Sequence, residues 1–91
     1  MMSDTQYEWL KENMSEDVVS SLRMDIRTHI HMLNEKDSTE RWKAGEIHGF
    51  LRGLAKGGVL DFYTLLQFKD KMFAEELYNI TKEAENEGSQ E

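Results

Sequence analysis

Cysteine and proline are both absent from this sequence. Without cysteine there is no disulfide framework, no thiolate zinc site and no thiol nucleophile. Without proline a helix can run unbroken, and one usual marker of turns and strand edges is missing. Long apolar runs are lacking too: nothing approaches the roughly 20 residues of a membrane span, and the opening M-M-S-D-T-Q has no basic segment leading into an apolar one. A cytoplasmic protein with no membrane role is the expectation. Catalytic signatures are equally scarce. There is no G-x-S-x-G, no phosphate-binding glycine loop opening from a strand, and no carboxylate pair that stands apart from the general acidity. The chain is expected not to be an enzyme and to carry no cofactor.

What is present fits one small domain. Ninety-one residues can bury a core, though not a generous one. With 38% hydrophobic residues, 32% charged residues and nine aromatics, a globular chain rather than disorder throughout is the expectation. The net charge of -7 is unevenly placed. Residues 1–22 and 83–91 each carry -4, while 23–82 come to +1. Acidic ends keep a small protein in solution and weaken nonspecific contact with nucleic acid, yet they leave a central region able to present a local basic face.

Five of the six glycines fall between Lys43 and Gly58, and Gly45, Gly49, Gly53 and Gly57 recur every fourth residue. Their neighbours favour helix, and each interior glycine costs a helix roughly 1 kcal/mol relative to alanine. One stripe of them suggests a helix that another backbone approaches closely. The stripe could receive the aromatics of the following helix, form a homodimer seam, or make a groove for another protein's helix.

The periodicity predicts four helices. The first is short, capped by Ser3 or Asp4 and ending near Asn13. The second starts at Asn13 or Ser15 and runs to about Glu35, with Val19, Leu22, Ile26, Ile30 and Leu33 on one stripe. Asp37-Ser38-Thr39-Glu40 has the form of a capping box for the third, which holds Trp42, Ile47, Phe50, Leu51 and Leu54 and stops at Gly57-Gly58. Asp61 caps the fourth, from Phe62 to about Lys82, whose apolar residues cover more than one partner helix needs. The fold class is therefore all-α: a small bundle of three main helices and a short N-terminal one, the last two forming an antiparallel hairpin because their connection is short. Residues 1–82 form the single domain, and 83–91 are expected to be a disordered acidic tail.

Arg41, His48, Arg52 and Lys56 line one side of the third helix, and Arg23 with Arg27 add a pair on the second. A basic helix after a tight turn is one way to meet phosphates. Against it, the loop spacing departs from helix-turn-helix, and no Asn or Gln stands among these residues to read bases. His29 and His31 lie on nearly opposite sides of their helix and cannot share a metal, and the pairs Asp25–His29 and His31–Glu35 offer only two ligands each, so no metal site is expected. Trp42, Phe62, Tyr63 and Phe68, with Phe73 and Tyr78, are many large rings for so small a bundle, and exposed rings anchor protein contacts.

From Trp42 to Leu77, led by Arg41, the layout R-W-x-x-G-x-I-x-G-F-L-x-G-L-x-x-G-G-V-L-D-F resembles the glycine-interrupted helical hairpins of short proteins of temperate phages and prophages. That resemblance implies a noncatalytic modulator that binds and redirects a host protein. The leading expectation is a small protein-binding module, an adaptor or inhibitor able to dimerise, with Gly45, Gly49, Gly53, Trp42, Phe62, Tyr63 and Phe68 as its packing or interface residues. The competing expectation is a nucleic-acid-binding regulator using Arg41, His48, Arg52 and Lys56.

Overall fold

The computed structural model describes residues 1–89, in which no strand occurs. Four helices follow one another: α1 (Asp4–Asn13), α2 (Glu16–Asn34), α3 (Glu40–Lys56) and α4 (Phe62–Ser89). The all-α expectation holds, and the boundaries of the first three helices fall within a residue or so of those read from the sequence.

Each boundary has a local cause. The Ser3 hydroxyl accepts the Gln6 N–H at 3.1 Å, and the Asp61 carboxylate accepts the Thr64 N–H at 3.1 Å and its hydroxyl at 2.6 Å. Both satisfy amides that a helix start leaves orphaned. The capping box expected before α3 does not form. Asp37 accepts instead from the N–H and hydroxyl of Thr39, at 2.8 and 2.6 Å, as an Asx turn. Glu40 turns away to His29 on α2, Nε2 to Oε2 2.9 Å. At the end of α3 the Val59 N–H reaches the Leu54 carbonyl and the Gly58 N–H reaches that of Ala55, a Schellman pair that places Gly58 at φ +78°. The same pair closes α2, through Asp37 to Met32 and Lys36 to Leu33, but here a lysine takes the left-handed position at φ 56°.

The core is one cluster. Val19, Leu22, Ile26 and Ile30 of α2 meet Ile47 and Leu51 of α3 and Leu65, Phe68 and Met72 of α4. Helix α2 packs on both α3 and α4, α3 packs on α4, and α1 lies against α2. Tyr7 of α1 also stacks tilted on Phe68, ring centroids 5.2 Å apart. Met2, ahead of α1, is buried with Tyr7 and Leu10. So α4 touches all three other helices, which accounts for its broad apolar surface. Leu33, counted into the apolar stripe of α2 from the sequence, is more than two-fifths exposed, and so is Leu77 of α4.

Helix α4 does not end near Lys82. It continues through Ser89, so residues 83–89 of the segment expected to be a disordered tail are helical. Gln90 and Glu91 lie outside the described residues. Twenty-eight helical residues span about 42 Å at 1.5 Å each, which explains a molecule 48 Å in its longest extent. No described helix is long and apolar enough to cross a membrane.

Candidate functional site

The glycine stripe faces outward. A Cβ built on Gly45, Gly49 or Gly53 would meet nothing within 4 Å, and all three residues are exposed. The reading in which the stripe receives the aromatics of α4 is therefore corrected. Helix geometry supplies the reason: α3 presents Ile47 and Leu51 to the core, and residues two apart are separated by about 200° around a helix. Burying Ile47 and Leu51 turns Gly49 to the solvent.

Trp42 stands on this outer face, 83% exposed, one turn before Gly45 and two before Gly49. An indole left in water next to a smooth stripe of backbone is an uncovered apolar surface, and Trp is among the commonest anchors of protein contacts. The remaining expected interface rings are scattered. Phe68 is fully buried in the core and is no part of any surface; Phe62 is half-buried; Tyr63 is 72% exposed at the first turn of α4. Tyr78, counted among those rings, is exposed, and so is Trp9, which sequence reasoning did not place at an interface.

Arg41, His48, Arg52 and Lys56 are all exposed along one flank of α3. Two of them are engaged with their own chain. The His48 ring meets Phe62 edge to face at 5.1 Å, and the Arg52 guanidinium lies 5.9 Å over the same ring. Arg23 and Arg27, expected as a second basic pair, do not join this flank, because they face α4. Arg27 Nη1 donates to Glu76 Oε1 at 2.9 Å and Nη2 to Glu83 at 2.7 Å, while Arg23 lies 3.7 Å from Glu76 and 3.8 Å from Glu75. Glu76 is only 2% exposed, and its other oxygen accepts from Asn79 at 3.0 Å. Lys11 adds Glu75 to the set at 3.0 Å and draws in α1. This clamp was legible in principle: Glu76 continues the stripe Leu65, Phe68, Met72 at helical spacing, opposite arginines one turn apart.

A cleft of about 280 Å³ opens between α2, α3 and α4, floored by Ile47, Leu51, Leu66 and Phe73 with His29 and His48 at its sides. His29 is held by Glu40 and packs edge-on to Phe73, ring centroids 6.1 Å apart. His31 is exposed, and no three potential metal ligands converge among the described residues. Tyr7 is buried and its hydroxyl makes no hydrogen bond; burial first, and then the Glu75 carboxylate, push the phenol far above its ordinary value.

No protein-family model matches this chain, and neither a curated protein nor a solved structure does so.

Proposed function

We propose that this chain is a small noncatalytic protein-binding module, cytoplasmic, that works through the outer face of α3. The observation that carries this reading is Trp42, exposed on the same face as three glycines that pack against nothing in the fold. Glycines inside a helix lower its stability, so a helix that holds three without an internal packing role is explained by a close external contact.

The hairpin fits this role. His48 and Arg52, toward the end of α3, lie on Phe62 at the start of α4, whereas Ala44, near the start of α3, shares a cleft with Phe73 farther along α4. That pattern supports antiparallel α3 and α4, with α2 across their inner side and the outer face of α3 left uncovered. Modulation of a host protein, the role implied by the resemblance to short temperate-phage and prophage proteins, needs only such a rigid binding face.

The nucleic-acid reading retains one favourable observation, four exposed basic residues on one flank. The use of His48 and Arg52 against Phe62 and the turning of Arg23 and Arg27 into the α4 clamp weaken it. Capture on the immobilised full chain from lysate of the encoding organism, after nuclease treatment, separates the two. A protein retained by the wild type and lost with Trp42→Ala supports the module. A signal abolished by nuclease and by Arg52→Glu, but kept by Trp42→Ala, would move the function to the basic flank.

A further inference from the structure

Resting on the reading of this face as a docking surface, we infer that its occupant is a second copy of the chain, with the two α3 helices antiparallel and a two-fold axis at Gly49. A symmetric dimer contact must be self-complementary: if one position meets another, the second meets the first. In an antiparallel helix pair centred on Gly49, positions equally far before and after it come together.

Three residues away on either side stand Glu46 and Arg52, of opposite charge. Four away stand Gly45 and Gly53, backbone against backbone. Seven away stand Trp42 and Lys56, an exposed indole and an ammonium that can sit over it. All of these residues are exposed and lie on one side of α3, away from Ile47 and Leu51. A parallel pairing would instead set Glu46 beside Glu46 and Lys56 beside Lys56. The match therefore selects both the occupant and its direction.

The glycines give the crossing its geometry. With no Cβ at the three central positions, the axes can approach closer than the usual 8–10 Å of packed helices. The indole then reaches across to the partner helix, and backbone C–H groups come within range of partner carbonyls. Glu46 is held 3.1 Å from Lys43 and Arg52 leans on Phe62, yet both keep their charged ends at the surface and need only a rotamer change to meet. One helix pair buries less than a standard interface of about 1,600 Å², so the dimer should dissociate on dilution.

Sedimentation equilibrium on the full chain tests this. The wild type is expected at twice the monomer mass at high concentration, falling to the monomer on dilution. Glu46→Arg alone and Arg52→Glu alone should each be monomeric, and an equal mixture of the two should recover the dimer, because the mixture sets two cations of one chain against two anions of the other. Gly49→Leu should abolish the dimer with its helical circular dichroism intact. A wild type that is monomeric at every concentration, or charge variants that dimerise unmixed as well as mixed, would overturn the inference. If the monomeric wild type still captures another protein through Trp42, the second copy is rejected as occupant while the docking face stands. If it instead retards a short duplex DNA and Arg52→Glu abolishes the shift, both readings fail.

Discussion

Phe68 and Trp42 show how far apart two large rings of one small chain can stand. Phe68 is fully enclosed, and Phe68→Ala should cost about 3–5 kcal/mol, the loss of a buried aromatic plus the void it leaves. Trp42 is in water, and Trp42→Ala should change the stability of the monomer by less than about 0.5 kcal/mol. Urea denaturation of the two variants at low protein concentration checks both expectations. Helical spacing separates these rings: Phe68 continues the stripe of Leu65 and Met72, whereas Trp42 stands among Glu40, Arg41, Lys43, Gly45 and Glu46, off the stripe of Ile47 and Leu51. Lys36 was illegible: nothing in a lysine announces a left-handed residue, and its conformation is forced by the Schellman closure of α2. Lys36→Gly should therefore stabilise the chain by about 1 kcal/mol.

At the scale of the element, the helices were legible because their signals are local. Ser3 and Asp61 cap as their residue types suggest, and Gly58 closes α3 at the expected stop. What failed needed tertiary knowledge. Glu40 had the spacing of a capping box, yet His29 on another helix claims its carboxylate. The direction of the glycine stripe was recoverable, since Ile47 and Leu51 lie opposite Gly49, but periodicity alone does not say which stripe is turned to the core. The Asx turn before α3 and the cap of α4 also set an acid response. The hydroxyls of Thr39 and Thr64, and then backbone amides, hold the carboxyls of Asp37 and Asp61 below their ordinary 3.8. A lowered folded-state value means the contribution is complete above 3.8 and is lost as pH falls through the depressed values. Circular dichroism should show thermal stability declining below 3.8, and Asp61→Asn, which can still cap but does not titrate, should make that decline shallower.

At the scale of the whole molecule, the bundle is held by an apolar core and by a clamp of Glu75 and Glu76 with Lys11, Arg23 and Arg27, which joins α1 and α2 to α4. Glu76→Ala should cost about 2–3 kcal/mol, because it removes the buried carboxylate that Arg23 and Arg27 share and leaves them only Glu75 and Glu83. Neither core nor clamp involves the outer face of α3, where Gly45, Gly49 and Gly53 pack against nothing inside the fold. Thermal denaturation of Gly49→Leu at dilute concentration tests that separation. A leucine that meets only solvent removes the helix penalty of glycine, so the midpoint should rise by about 3–6 °C with helicity unchanged. A midpoint lowered by about 10 °C or more, or a loss of helicity, would mean that the stripe packs inside the fold, and would contradict the account.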